Sequence, residues 1–187
     1  MTDSTGSVAR TARFDLGRFR RADLPAMLEY RNDPEVARYQ SWESDLSMED
    51  AERFLAGQEG VAIGDPGEWL QLAIRERATD RLCGDVGVQF VESQPRTVEI
   101  GISLAVEWQS RGVATEVLDA ALDWLFADLD VHRVFAHADK RNTKVLGLLD
   151  RVGFRQEAEL READWFKGEW TTLCTYGLLR REWRDRS

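Results

Sequence analysis

A strand-like segment that runs directly into a helix-like segment limits what this chain can fold into more than any other feature. In residues 97–105 every second side chain is apolar, namely Val98, Ile100, Ile102 and Leu104. This alternation predicts a β-strand with one face in a core, while the other face carries Glu99 among small residues, as in a strand that lines a cleft. From about Gly112 to Phe126 the apolar spacing becomes that of an amphipathic helix. A strand followed directly by a helix predicts a fold that mixes strands and helices.

The other elements indicate one α/β domain. Strands are expected at residues 13–19, in two runs within 68–92 that turn at Thr79-Asp80, and at 132–139. Helices are expected after Asp23, at Pro34, from Ser47 to about Gly57, and from Asn142 to Gly153. A long hairpin that turns at Lys167-Gly168 completes the order. With no internal repeat or linker, residues 13–183 are predicted to form a single domain, and the small polar residues 1–12 a flexible tail.

Charge and composition argue against several classes of protein. The 187 residues carry a formal net charge of −9, which would repel nucleic acid in the absence of a local basic face. An acidic surface favours a cationic small molecule or a basic peptide, although ordinary solubility explains the same charge. No apolar run approaches the ~18–20 residues of a membrane span, and the first residues lack the apolar core of a secretory signal. Cys83 and Cys174 form no metal pattern, so we expect a cytoplasmic protein with buried free thiols.

The turn between the central strand and its helix has the composition of a phosphate site. The first N–H groups of a helix have no partner within the helix, and the macrodipole adds partial positive charge there. Gly112 allows close approach of a ligand, Gln109 and Arg111 supply side-chain donors, and Ser110 can cap the helix. These features suit a diphosphate. A plain strand–turn–helix junction would explain the glycine equally well.

The same residues carry a family resemblance. Gln109-x-x-Gly112-x-Ala114 resembles the acyl-CoA pyrophosphate loop of the GCN5-related N-acetyltransferases (GNAT). Further landmarks follow in order at compatible spacing, and they resemble the RimJ/RimL-type branch: Glu99-Ile100-Gly101, Ala114-Thr115-Glu116, Asn142 and Gly153-Phe154. The likeness covers about residues 96–180, and the N-terminal helical region is also similar. The loop pattern is weak by itself, whereas several landmarks in order are strong.

The resemblance implies a fold, a co-substrate and a set of binding residues. The fold would be a single-domain GNAT fold, α/β (α+β), with a mixed central sheet of about seven strands and about four flanking helices. Acetyl-CoA would be the co-substrate, with no metal. The strand residues that would pair with pantetheine are Ile102, Ser103 and Leu104. The pyrophosphate would be held by Gln109, Ser110, Arg111, Gly112, Val113, Ala114 and Thr115. Asn142 would lie beside the pantetheine arm, although it could equally be only the cap of its helix.

The resemblance also implies the chemistry, which is acetyl transfer to a primary amine. An amine with a pKa of about 10.4 is mostly protonated near neutral pH, so a base must remove its proton. Glu99 is the candidate general base, directly or through one water, since it matches the carboxylate that the family often has there. The competing hypothesis is a surface or ion-paired glutamate. A backbone N–H near Leu104 would stabilise the oxyanion.

Two positions depart from the pattern of the family. A tyrosine that many members have four residues before Gly-Phe is Leu149 here, and a serine three residues after the asparagine is Val145. Both usual proton donors for the thiolate are therefore missing, although a thiol with a pKa of about 8.5 leaves readily without one. The departure motivates an alternative, a non-catalytic acyl-CoA-binding regulatory module. A phosphate-binding α/β protein outside the family is a third hypothesis.

The acceptor is less constrained. The resemblance places Tyr39 and Trp42 at the wall of the acceptor site, with packing roles as the alternative. The acceptor would be an amine-bearing small molecule or a protein N-terminus, and neither nucleic acid nor a membrane is expected as a partner. His132 and His137, which have no ligand partners at metal spacing, are expected to be structural. Three aromatic side chains flank the hairpin turn: Trp165, Phe166 and Trp170. We expect them to pack within the chain or to form a subunit contact within a homodimer.

Overall fold

One eight-stranded sheet organises the computed structural model, which describes residues 6–185. The strands are β1 (Ser7–Arg10), β2 (Phe14–Arg18), β3 (Trp69–Glu76), β4 (Leu82–Phe90), β5 (Thr97–Leu104), β6 (Arg133–Asp139), β7 (Arg155–Phe166) and β8 (Glu169–Leu179). Their order across the sheet is β1-β2-β3-β4-β5-β6-β8-β7. Neighbours are antiparallel except β5 and β6, which are parallel. The mixed single-domain α/β fold is therefore confirmed, with eight strands in place of about seven.

Six α-helices accompany the sheet within residues 6–185. They are α1 (Leu24–Arg31), α2 (Pro34–Ala37), α3 (Met48–Glu59), α4 (Val113–Asp123), α5 (Thr143–Val152) and α6 (Arg180–Arg184). Helix α4 continues into one wider turn over Trp124–Asp128. None of the helices in this part of the chain is long and apolar enough to cross a membrane.

Three local expectations need correction. Residues 7–10, within the expected tail, form strand β1, because the Ser7 hydroxyl donates to the carbonyl of Leu16 (2.8 Å) and β1 pairs with β2; residues 1–5 lie outside the described residues. Asp23 precedes α1, but its carboxylate does not cap that helix. It forms a buried ion pair with Arg75. Helix α3 runs through Gly57 to Glu59.

The two faces of the sheet carry different helices. The apolar face of β5 continues across β4, since Ile102 lies opposite Val86 and Ile100 opposite Val88. The same face of β5 meets α4, because Ile100 and Ile102 line a common cavity with Leu118. On the opposite face, the buried Asp85 of β4 binds Tyr30 and Arg31 of α1. Helix α1 therefore covers the face on which Glu99 lies, and α4 covers the apolar face.

A gap opens in the middle of the sheet. Pairing between β5 and β6 covers Thr97–Glu99 against Arg133–Phe135, and it stops where the two strands diverge. Beyond that point β5 continues to Leu104 and β6 to Asp139 without pairing to each other. The gap connects the face covered by α4 with the face covered by α1. The backbone N–H near Leu104, predicted to stabilise the oxyanion, lies in the part of β5 that does not pair with β6.

Candidate active site

A cavity of about 570 Å³ lies at the start of α4. Ten of the eleven residues expected to hold the co-substrate line it: Ile102, Ser103, Leu104, Gln109, Ser110, Gly112, Val113, Ala114, Thr115 and Asn142. Arg111 is absent from that lining. Its guanidinium lies 5.9 Å from the ring centre of Trp108, and its carbonyl accepts a hydrogen bond from Arg13. The structure thus brings together residues from β5, the following turn, α4 and the start of α5.

The turn before α4 has an unusual backbone. Gly112 precedes the helix with φ +73°, and Ser110 has φ +58°. Left-handed φ angles favour glycine, which explains Gly112, while a serine there is strained. Ser110 does not cap α4, because no side chain caps this helix start. The first N–H groups of α4 are therefore not used by a cap.

Gln109 braces the end of β5. Its side-chain amide donates to the carbonyl of Leu104 (3.1 Å), and its oxygen lies 3.5 Å from Lys144 Nζ. This side chain ties the turn to the strand and to α5, which is a different use from the predicted donation to a diphosphate. Outside the turn, Arg13 holds Glu116 of α4 through its backbone N–H and its guanidinium (2.7 Å). Burial raises the pKa of Glu116, but hydrogen bonds from Thr11 and Arg13 outweigh burial and lower it.

Basic side chains reach the same cavity from two further elements. Arg38 follows α2, and Lys144 and Arg151 are seven residues apart on one face of α5; all three line the cavity. They were not among the predicted binding residues. The i,i+7 spacing of Lys144 and Arg151 could have indicated a basic stripe facing the Gly112 turn. Together with the start of α4, these side chains give an acidic protein a locally cationic pocket.

The edge of β5 at the gap offers free backbone donors. The N–H of Ala105 points to the carbonyl of Cys83 beside β4 (2.9 Å). Alternate N–H groups along a strand point to opposite edges, so those of Leu104 and Ile102 point to the gap. Across the gap, Asn142 accepts a hydrogen bond from the N–H of Val145 (3.3 Å), which confirms its predicted role as a cap.

A second cavity, of about 180 Å³, extends through the gap to the other face. It shares six lining residues with the first: Tyr39, Gln40, Ile102, Asn142, Val145 and Leu148. Its far end is formed by His137, Asp164 and Phe166. Tyr39 therefore lines both cavities, and its place at the wall of the acceptor site stays a prediction. Trp42 is not among the lining residues of either cavity, since its indole N–H donates to the carbonyl of Arg31 (3.0 Å) and its ring packs under that guanidinium.

Glu99 contacts the second cavity through a histidine. Its carboxylate Oε1 lies 3.2 Å from Nδ1 of His137, which stands on the neighbouring strand. The hydrogen bond that His137 donates to Glu99 raises the pKa of His137, burial lowers it, and the charges of Glu99 and Asp164 add to the rise. His137 lines the cavity, whereas Glu99 does not. The expectation that His137 is structural missed this pair, because spacing along the chain does not show which residues face each other across parallel strands.

The hairpin of β7 and β8 forms the outer wall of the second cavity. At its tip, Lys167 Nζ donates to the carbonyls of Ala37 (2.9 Å) and Trp42 (2.7 Å). This contact fastens the tip to the end of α2 and the segment after it, and Phe166 and Tyr39 line the same cavity. Trp165 and Trp170 pack edge to face beside the tip and are each 60% exposed.

Comparison with known proteins decides the family. The profile of the acetyltransferase (GNAT) domain matches residues 13–155. The chain belongs to the GNAT acetyltransferases. An uncharacterized N-acetyltransferase, p20 of Bacillus licheniformis, is 24% identical over 173 residues, which are 92% of this chain and 96% of the relative. The putative ribosomal N-acetyltransferase YdaF of Bacillus subtilis is 30% identical over 102 residues, 54% of this chain and 56% of the relative.

A solved structure shows the same fold. The spermidine N-acetyltransferase of Vibrio cholerae in complex with CoA and spermine matches with a TM-score of 0.79 at 22% identity, covering 93% of this chain and 99% of the other. The predictions of a GNAT fold and of an N-acetyltransferase are therefore confirmed. Among the described residues of this GNAT protein, no cluster of three or more His, Cys, Asp or Glu is placed to hold a metal ion.

The two departures from the GNAT pattern lie inside the site. Leu149 and Val145 both line the second cavity, on the side of α5. Leucine and valine carry no proton donor, so the wall of this GNAT site is apolar at the two positions where the resemblance led us to expect a hydroxyl. The titratable side chains at the second cavity lie at its other end, near His137, Asp139 and Asp164.

Proposed function

We propose that this GNAT protein transfers the acetyl group of acetyl-CoA to a primary amine by direct attack, with the carboxylate of Glu99 as the source of basicity. The single observation that carries the proposal is the gap between β5 and β6. It joins a cavity with a helix start and basic side chains to a cavity with a titratable pair. One substrate can enter from each face and meet the other in the gap.

The first cavity suits coenzyme A. Unused N–H groups at the start of α4, with Lys144 and Arg151 nearby, favour a diphosphate. The N–H groups of Ile102 and Leu104 at the strand edge can pair with the amide groups of pantetheine, and one of them can stabilise the oxyanion of the tetrahedral state. Asn142, between the two cavities, would lie beside the pantetheine arm.

The second cavity suits an amine that is cationic in solution. Its far end carries the carboxylate of Asp164, with Glu99 behind His137, in a chain of net charge −9. A relative named a ribosomal N-acetyltransferase and a neighbour that holds spermine are consistent with either a protein N-terminus or a small amine. We therefore propose a primary amine of positive charge as the acceptor, with Tyr39 at the wall of its site.

Acetyl transfer from labelled acetyl-CoA to a mixed pool of amines and peptides tests the function. We expect release of free thiol together with a labelled product whose mass increases by one acetyl group, identified by mass spectrometry. The missing donors at Leu149 and Val145 make a non-catalytic acyl-CoA-binding module the second candidate. If the protein binds acetyl-CoA but releases no thiol with any acceptor, that result would favour the binding module and overturn the proposed acetyl transfer.

A further inference from the structure

The hydrogen bond between Glu99 and His137 has a direction, and that direction decides which ring nitrogen of His137 can accept a proton during acetylation. A carboxylate oxygen accepts hydrogen bonds, so Glu99 accepts the contact at 3.2 Å and His137 donates it from Nδ1. A neutral imidazole that carries its proton on Nδ1 has a free lone pair on Nε2. The side chain of Glu99 is 22% exposed and that of His137 38% exposed, and only His137 lines the second cavity.

We propose that His137 is the group that takes the proton from the acceptor amine, and that Glu99 acts through it by fixing its tautomer and orientation. The proposal rests on the amine acetylation proposed above and names the residue of the same site that touches the acceptor. His137 is then a catalytic residue and Glu99 a positioning residue. An anion behind the ring also stabilises the imidazolium once it has formed, which is the logic of carboxylate–histidine pairs in other enzymes.

The acceptor nitrogen loses two protons during acetyl transfer. An ammonium acceptor first loses one proton to solvent. The resulting amine forms a bond to the thioester carbon, the carbon–sulfur bond breaks, and coenzyme A leaves as a thiolate. The second proton of the nitrogen passes to Nε2 of His137 and from there to solvent. No donor is needed at Leu149 or Val145, because the protonated His137 can return its proton through water.

The charged groups around His137 support a base that works near neutral pH. Glu99 faces it from β5 and Asp164 from β7, and both raise its pKa, while burial lowers it. Asp139, two residues along the same strand, is held by Arg141 (2.6 Å). The Tyr39 hydroxyl donates to the carbonyl of Arg141 (3.4 Å). A base whose pKa lies near the working pH is the most effective one.

Nuclear magnetic resonance tests the tautomer without any substrate. The chain has only two histidines, so protein labelled with ¹⁵N-histidine gives two sets of ring signals, and His137→Gln assigns them. We expect neutral His137 to carry its proton on Nδ1 and to titrate above its usual pKa. In Glu99→Gln that pKa should fall. A proton on Nε2 in the neutral wild type would overturn the proposal.

Kinetics with one amine acceptor test the catalytic role. His137→Gln should lower kcat by about 100-fold or more, within the range of general-base catalysis. Since the active form of His137 is neutral, the wild-type rate should rise with pH through the raised pKa of His137. Glu99→Gln should lower kcat and leave acetyl-CoA affinity nearly intact. The same variant should shift the rise of the rate with pH to lower pH. The matched control is His132→Gln, an exposed histidine outside both cavities, which should behave as wild type.

The outcomes separate the two proposals. If the wild type acetylates amines while His137→Gln keeps its rate and pH profile, the role of His137 is wrong and amine acetylation stands. If no amine is acetylated by the wild type, the enzyme proposal fails, and the tautomer measurement still decides the geometry of the pair. Thermal unfolding and acetyl-CoA binding of each variant show that the fold is retained.

Discussion

At Gly112 the backbone conformation directly determines how the start of α4 can bind a ligand. Its φ of +73° is left-handed, and a Cβ added there would meet only Arg13 Nη2, at 3.8 Å. Gly112→Ala therefore causes no clash, but it strains the backbone by about 1 kcal/mol. If the backbone moves to relieve that strain, the N–H groups at the start of α4 no longer point together at the diphosphate of CoA. We expect the free energy of unfolding to fall by about 1 kcal/mol and CoA to bind about tenfold more weakly.

The matched control is Gly57→Ala in the exposed part of α3. Gly57 has ordinary helical geometry and no atom within 4 Å of an added Cβ. Alanine there should raise the free energy of unfolding by about 0.5–1 kcal/mol and leave CoA affinity unchanged. Urea unfolding and calorimetry measure both quantities. Unchanged CoA affinity in Gly112→Ala would show that the α4 turn does not hold the diphosphate.

At the scale of elements, a buried ion pair fastens α1 to the sheet. Asp85 of β4 lies 3.1 Å from Arg31 and accepts a hydrogen bond from the Tyr30 hydroxyl (2.5 Å). Burial and the charge of Asp85 raise the pKa of Tyr30 well above its usual value, so the phenol stays protonated. The guanidinium of Arg31 is also packed between the rings of Trp42 and Phe54.

Removing one partner of this pair should be costly. Asp85→Ala leaves the buried Arg31 charge without its counter-ion, and we expect the free energy of unfolding to fall by about 3–5 kcal/mol. The double variant Arg31→Met with Asp85→Ala should recover part of this loss, because no unpaired charge remains. Urea unfolding of both variants gives the comparison. A double variant less stable than Asp85→Ala would show that the packing of Arg31 matters more than its charge.

The hairpin of β7 and β8 is the element that shapes the acceptor side. Lys167→Met keeps most of the length of the side chain but removes both hydrogen bonds to the carbonyls of Ala37 and Trp42. We expect hydrogen exchange to become faster at residues 164–170, and KM for the acceptor to rise by about tenfold, with acetyl-CoA affinity unchanged. That rise corresponds to about 1.4 kcal/mol, in the range of hydrogen bonds to a charged group.

Lys140→Met is the matched control for the hairpin. Lys140, directly after the end of β6, forms an exposed ion pair with Glu159 of β7 (2.5 Å). Exposed pairs of this kind contribute little, because water and salt screen them, so this variant should keep the wild-type KM. If both variants raise KM equally, the effect comes from loss of positive charge near the hairpin, and the hydrogen bonds of Lys167 at its tip are not responsible.

At the scale of the whole molecule, the sequence predicts most of the fold and most of the residues that line the first cavity. The landmarks from Glu99 to Phe154 lie close together in the sequence, so alternation, helix spacing and the Gly112 turn predicted the central strand, α4 and the turn between them. The partner of Glu99 could not be predicted in this way. His137 stands 38 residues later and faces Glu99 only because two parallel strands pair in one register. Strand β1 was missed for a related reason, since its polar residues are ordered by pairing with β2.

The net charge of −9 leads to a prediction about association with the acceptor. Long-range attraction to an acidic protein raises the rate at which cations reach it, by about 10–1,000-fold in favourable cases. Salt screens this attraction, because the Debye length falls from about 30 Å at 0.01 M to about 3 Å at 1 M. We expect kcat/KM for a four-carbon diamine to fall by about tenfold across that range, with acetyl-CoA kept saturating at each salt concentration.

A four-carbon monoamine is the control, because it carries one positive charge in place of two and fits the same cavity. Its kcat/KM should fall by a smaller factor, since the attraction scales with the charge of the acceptor. Steady-state rates at matched acceptor concentrations supply both values. Equal salt dependence for the two amines would mean that the acidic surface keeps the protein soluble without guiding its acceptor, and that Asp164 and the Glu99–His137 pair act only at contact distance.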